Sequence, residues 1–289
     1  MENIKELHLT VEKTVIELGL EKEVRLLHVT DSHISKAYEH EGADLCGLAE
    51  ARERYFDKGV PGQTVRLYEE AKQYAKDNDL IMVHTGDLID FLSEANFDYL
   101  DHAFDGIDHI YAAGNHDFCH FVGRAAEDWH YKQQNMKKIA PHVKYNMHFD
   151  SRVVGGVNIV TLDDTYYNIT AGQVEMLRAE AAKGLPILLF MHVPLYVPEY
   201  AKERLKVGPA YMVAAPRSIV EKYSSDRFYQ QAATEETLKA VEYILSEPAI
   251  KAIFVGHTHE NVTEKLENGV TQYITGSNYD GMAREIIIK

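Results

Sequence analysis

The 289 residues carry 45 acidic and 30 basic side chains, a formal charge of −15 and 45% hydrophobic residues, as in an ordinary globular chain with room for one large domain or two small ones. The acidic balance argues against a protein that grips nucleic acid along its backbone, and no apolar run approaches a membrane span. With only Cys46 and Cys119, and no basic-then-apolar pattern at the N-terminus, a reduced, cytoplasmic setting is the simplest expectation.

Short apolar runs rich in Val, Ile and Leu read as buried strands, and apolar residues three or four apart read as helices. A strand over 24–30 leads, after a long insert, to a helix near 63–78, where Leu67, Ala71, Tyr74 and Ala75 recur at helical spacing. Strand 80–85, helix 94–105, strand 108–113 and helix 123–140 follow. Strands are expected near 142–148, 152–155 and 157–162, then a helix near 171–183 that opens at Thr170, a suitable N-cap. Strand 185–191, an irregular stretch and a helix near 234–246 come next. The chain ends in strands 251–255, 261–266, 270–275 and 284–288, with Asn268-Gly269 as a hairpin turn signal.

Strand–helix alternation predicts a mostly parallel sheet, and hairpin-linked strands predict an antiparallel one. The expected fold is therefore α/β: two mixed sheets face to face with helices outside, a four-layer α-β-β-α sandwich in a single domain over 1–289. Two segments read as inserts, 35–61 and 194–234. Both leave from strand ends on one rim, so both are expected over the site.

Five polar pieces sit just past predicted strands. They are Asp31-Ser32-His33, Gly86-Asp87, Gly114-Asn115-His116-Asp117, Met191-His192 and Gly256-His257-Thr258-His259. The rim beyond the strand ends is where α/β sheets place function. Oxygen and imidazole donors without thiolate suit Mn, Fe, Zn or Ni.

In order and content, these pieces resemble the calcineurin-like metallophosphoesterase family, whose motifs run DxH, GD, GNHD, a lone His and GHxH. The resemblance covers about residues 24–288. It implies that Asp31, His33, Asp87 and His259 hold one metal ion, and that Asp87, Asn115, His192 and His257 hold a second, with Asp87 shared. It implies a phosphomonoesterase or phosphodiesterase acting on a small phosphate ester, in which a metal-bridging hydroxide attacks phosphorus. Two such ions sit roughly 3.5–4 Å apart. Counting about four positive charges against two carboxylates and one hydroxide, the site keeps a positive balance inside an acidic protein. By the same resemblance His116, beside Asn115, meets the substrate and protonates the leaving oxygen, or else serves only to anchor a ligand. Asp90 is the carboxylate expected to partner it. Phe91 stands where protein Ser/Thr phosphatases carry a phosphate-binding Arg, and Asp90 where purple acid phosphatases carry an iron-ligating Tyr; both departures exclude those branches.

Two alternatives stand beside this reading: a scaffold that has kept the fold without the chemistry, and a nuclease. The complete donor set counts against the first and the charge against the second. Ordinary core or surface roles are expected for His28, His84, His120, His130, His142 and His148, and loop hydrogen bonding for Asp163 and Asp164. Tyr196, Tyr200, Tyr211, Tyr223 and Tyr229 make either an aromatic wall for a base or aryl group, or plain packing. Arg52, Arg54, Arg204, Arg217 and Arg227 either reach phosphate or form exposed salt bridges.

Overall fold

The computed structural model describes residues 6–120, 128–206, 211–224 and 228–289. In chain order the first half holds β1 (Thr10–Ile16), β2 (Val24–Val29), α1 (Ala43–Phe56), α2 (Gln63–Asp77), β3 (Ile81–His84), α3 (Glu94–Ala103), β4 (His109–Tyr111) and α4 (Trp129–Ile139). The second holds β5 (Phe149–Val154), β6 (Val157–Leu162), α5 (Ala171–Ala181), β7 (Ile187–Phe190), α6 (Pro198–Arg204), α7 (Arg217–Tyr223), α8 (Phe228–Gln231) and α9 (Glu235–Ser246). It ends with β8 (Ile250–Val255), β9 (Val262–Lys265), β10 (Thr271–Ile274) and β11 (Met282–Ile288).

Two sheets form, in the orders β1-β11-β2-β3-β4 and β5-β6-β7-β8-β10-β9. Strands β2, β3 and β4 are parallel, as are β6, β7, β8 and β10; β11 runs antiparallel to β2, and β5 and β9 run antiparallel on the second sheet. This is the expected pair of mixed sheets flanked by helices.

Residue parity builds the layers, because alternate side chains along a strand face opposite ways. On β2, Val24 and Leu26 point to the second sheet, where they meet Leu188, Phe190, Ala252 and Phe254. Leu27 and Val29 point outward to Tyr68, Ala71 and Ala75 of α2 and to Leu100 and Ala103 of α3. On the second sheet Leu189 and Val255 face outward to Leu177 of α5 and to Ala240 and Ile244 of α9. Helix starts follow capping chemistry. Thr170 accepts from Gln173 N in a capping box, and Ser93 and Thr234 accept from Asn96 N and Thr237 N.

His28 and His84 are core residues, as expected. His28 bridges the sheets: its Nδ1 and Nε2 lie 2.8 Å from Thr275 Oγ1 and Thr85 Oγ1, and its edge faces Phe190 and Phe254. His84 accepts from Gly86 N and meets Ser32 Oγ at 3.2 Å. Burial lowers the pKa of both, that of His84 to about 3.

Several expectations need correction. Residues 142–148 form no strand; Tyr145 instead turns its hydroxyl onto the His109 carbonyl. The neighbouring strand spans Phe149–Val154, not 152–155, and pairs along its whole length with β6. β1 was not foreseen, because Glu12 and Lys13 interrupt its apolar pattern; it pairs with β11 at the sheet edge. The helix expected over 123–140 is described from Trp129, and 123–127 lie outside the described residues. Both inserts contain helices: α1 in the first, and α6, α7 and α8 in the second.

One buried ion pair ties α4 to the loop after β6. Lys132 Nζ lies 2.5 Å from Asp163 Oδ2, and both side chains are 1% exposed. Breaking such a pair leaves a buried charge uncompensated. Lys132→Met is expected to lower unfolding stability by about 3–5 kcal/mol, read from urea denaturation. The double variant Lys132→Met/Asp163→Asn is expected to recover much of that loss; equal losses in single and double variants would contradict the pairing.

Candidate metal centre

The parallel strands deliver their polar residues to one rim. Asp31 and His33 follow β2, Asp87 follows β3, Asn115 and His116 follow β4, His192 follows β7, and His257 and His259 follow β8. The chain turns sharply there. Asp31, His33, Asp87, His257 and His259 all have positive φ, between 51° and 66°. Each such non-glycine residue costs on the order of 1–3 kcal/mol, and strain of this kind collects at functional sites.

Glycines let the turns touch. A Cβ on Gly114 would fall 2.1 Å from Asp87 Oδ1, and one on Gly256 would fall 2.4 Å from Asp31 Oδ2. Asp117 then staples two turns together by accepting from Asp87 N (3.0 Å) and Gly114 N (2.7 Å). His257 N donates to Asp31 Oδ2 at 2.9 Å.

Two clusters result: Asp31, His33 and His259 in one, and Asp87, His192 and His257 in the other. In the first, His33 Nε2 lies 3.2 Å from His259 Nε2, and His259 Nε2 lies 3.2 Å from Asp31 Oδ1. In the second, His192 Nε2 lies 3.1 Å from His257 Nδ1 and 3.3 Å from Asp87 Oδ2. Asp87 Oδ2 is also 3.7 Å from His33 Nε2, so this carboxylate stands between the clusters.

The outer nitrogens decide what faces inward. His192 Nδ1 lies 2.7 Å from the Thr85 carbonyl, which can only accept, so Nδ1 carries the hydrogen. His33 Nδ1 likewise donates to Asp90 Oδ1 at 2.8 Å. Neutral His33 and His192 therefore turn lone pairs toward carboxylates and other imidazoles. His259 Nδ1 meets the Tyr279 hydroxyl (2.8 Å), and His257 Nε2 meets the Tyr167 hydroxyl (3.0 Å). Partners on the outer nitrogen are what metal-binding imidazoles use to fix their orientation. Among the described residues, Asp31 Oδ1 and Asn115 Oδ1 are buried without a hydrogen-bond partner. Electron-rich atoms that converge without an opposing hydrogen fit cations. Without one, protons take that part: burial alone would lower the pKa of both rings, but Asp31, Asp90 and Asp87 raise His33 to about 9, and Asp87, Asp31 and Asp164 raise His192 to about 10.

His116 stands beside both clusters. Its backbone N donates to Asp87 Oδ1 at 2.7 Å, and its Nδ1 lies 3.0 Å from both the carbonyl and the Oδ1 of Asp90. Burial lowers its pKa, and Asp87 and Asp90 more than reverse this. Arg52 grips Asp90 through Nε (2.6 Å) and Nη2 (2.8 Å).

Sequence reasoning gave no role to Thr85, Asp117, Tyr167 or Tyr279. Asp117 closes the GNHD piece, but no pattern marks the other three; only the fold brings all four to the imidazoles and the Asp87 turn. Asp163 bonds within its own loop, accepting from Thr165 Oγ1, and Asp164 accepts from His192 N and Val193 N of the loop after β7. The tyrosines of the second insert divide. Tyr200 is buried against Thr258 and Glu260, Tyr211 stands edge-on to His257 at 5.4 Å, and Tyr223 and Tyr229 are exposed. Arg54 is exposed, Arg204 and Arg217 face Glu260 and Glu221, and Arg227 lies outside the described residues. His142 pairs with Asp101, and His130 contacts Gln134.

The model of the calcineurin-like phosphoesterase family matches residues 24–261. The chain belongs to that family. No curated protein matches it in sequence. Among solved structures, a dimetal phosphatase from Danio rerio is similar at 12% identity and TM-score 0.52, with 91% of each chain covered; this likeness shows a shared fold. A phosphopantetheinyl hydrolase from Mycobacterium tuberculosis (11% identity, TM-score 0.42, 93% of this chain and 92% of that one) is also similar. So is a 5'-nucleotidase from Candida albicans (11%, 0.39, 96% and 47%), of which this chain spans about half.

Close packing at the turns has a measurable consequence. Gly256→Ala would place its methyl carbon 2.0 Å from Thr30 Oγ1, forcing the β2 and β8 turns apart. Overpacking of this kind is expected to cost about 1–3 kcal/mol in thermal or urea unfolding. An unchanged midpoint would contradict the contact.

Proposed function

We propose that this chain is a dinuclear metal-dependent phosphoesterase that hydrolyses a small phosphomonoester or phosphodiester. The convergence of buried imidazole lone pairs and carboxylate oxygens on one rim carries this reading. Asp31, His33, Asp87 and His259 would hold one ion; Asp87, Asn115, His192 and His257 would hold the other. When bound, two divalent or transition ions such as Mn, Fe or Zn supply Lewis acidity that neutralises phosphate and activates water.

The chain's own residues do the rest. Thr85, Asp90, Tyr167 and Tyr279 hold the outer nitrogens of the four imidazoles, so the donors are set before substrate arrives. Among the described residues nothing hydrogen-bonds the side-chain carbonyl oxygen of Asn115. His116 keeps its Nδ1 hydrogen on Asp90 and serves as the proton donor to the leaving oxygen, beside Asn115 in the substrate site. Asp90 and Asp87 favour its protonated form, which that role requires. The inserts, 35–61 and 194–234, belong to the same domain and flank the centre; the contacts of Arg52 with Asp90 and of Tyr211 with His257 support this. Among the described residues no helix is long and apolar enough to cross a membrane.

Hydrolysis of nitrophenyl monoesters and diesters, with and without Mn²⁺, tests the reaction class; metal-stimulated turnover of at least one is expected. Asp87→Ala is expected to empty both ion positions, read by elemental analysis, and a full metal complement in that variant would contradict its shared role. His116→Ala is expected to keep its metal and lose roughly 10²-fold or more in turnover. The loss should be smaller for nitrophenyl than for alkyl esters, whose leaving groups need the proton. Equal losses would assign His116 to positioning instead.

A further inference from the structure

We propose that helix α1, carried by the first insert, clamps one half of the metal centre, with Arg52 and Phe56 as its positioning residues. The proposal rests on the dinuclear reading above.

Asp90 is fully buried, and its oxygens are already committed. Arg52 takes both in a two-point grip, at 2.6 Å to Oδ2 and 2.8 Å to Oδ1. The same Oδ1 lies 2.8 Å from His33 Nδ1 and 3.0 Å from His116 Nδ1. His33, Asp90 and His116 therefore form an anchor and not a third ion site, although their donor atoms are close enough for one. A carboxylate held by a planar fork cannot rotate without losing two charge-assisted bonds, so Arg52 fixes the tilt of His33 through Asp90.

Phe56 acts on the same imidazole from its face. The rings stack with centroids 4.4 Å apart and planes 12° apart, and Phe56 is 1% exposed. Arg52 Cζ lies 4.7 Å from the Phe56 centroid, so the two clamp residues brace each other. Phe56 also packs on Tyr279 at 4.7 Å, and the Tyr279 hydroxyl meets His259 Nδ1. Just past the helix, Lys58 lies over Tyr279 and pairs with Asp280. Asp57 fastens this end of α1 to the start of α2, accepting from Gly62 N (2.6 Å) and Thr64 N (2.9 Å).

Every imidazole reached in this way, apart from His116, belongs to the cluster of Asp31, His33 and His259. The other cluster is oriented from elsewhere: Thr85 holds His192, and Tyr167 meets His257. The insert thus governs how firmly one ion position is formed, beyond any effect on substrate size.

The experiment measures metal stoichiometry and Mn²⁺ affinity of the full chain after dialysis against metal-free buffer, with electron paramagnetic resonance to read Mn–Mn coupling. Wild type is expected to hold two ions per chain and to show a coupled spectrum. Arg52→Ala and Phe56→Ala are expected to retain one ion, lose the coupling and bind the second about 10–100-fold more weakly. Arg52→Lys, which keeps the charge without the fork, is expected to fall between. Metal-free melting temperatures of Arg52→Lys and wild type, expected to be close, separate a loosened ion position from a broken fold. Two tightly held, coupled ions in both alanine variants would overturn the clamp, and so would equal weakening of both ions. Fewer than two ions in wild type would remove the dinuclear reading and the clamp with it.

Discussion

One constraint organises the centre: several carboxylate and imidazole lone pairs are forced together in one buried space. Neutral His192 has no hydrogen to turn inward, because its Nδ1 hydrogen is held by the Thr85 carbonyl, and its Nε2 lies 3.3 Å from Asp87 Oδ2 and 3.1 Å from His257 Nδ1. His33 stands in the same position opposite Asp31 and His259. Such a group repels itself unless positive charge enters it, as protons or as metal ions. Its persistence depends on a scaffold stiff enough to hold it.

That stiffness comes from the two-sheet architecture. Phe190 and Phe254 pack the space between the sheets, and His28 crosses it to join Thr275 on one side with Thr85 on the other. Thr85 then offers its carbonyl to His192, so a hydrogen-bonded path through the core ends on an imidazole of the centre. Five left-handed residues and the close approach of Gly114 and Gly256 to carboxylate oxygens add local cost that this packing absorbs. On the outer side, Asp90 gathers His33, His116 and Arg52 around one carboxylate.

The sequence made much of this legible. Apolar runs end where polar motifs begin, so strands β2, β3, β4, β7 and β8 and the residues beyond them could be read in advance. The motif glycines could be read as well, although what they approach could not. Other features depend on contacts that leave no local trace. β1 carries Glu12 and Lys13 in an edge strand, where one side of the ladder needs no apolar partner. Residues 142–148 contain enough apolar side chains to suggest a strand, yet Tyr145 and Val143 are used for packing under α3 and β4. Tyr167 and Tyr279 lie 90 and 20 residues from the histidines they touch. Arg52 was open to two readings because sequence does not show that an insert helix folds back onto Asp90.

The most direct test of the central claim is anomalous diffraction from crystals of the wild-type protein grown with Mn²⁺. Two anomalous peaks are predicted, one among Asp31, His33 and His259 and one among Asp87, His192 and His257, with Asp87 adjacent to both. No peak at these residues, a single peak, or an ion held by His33, Asp90 and His116 would contradict the account.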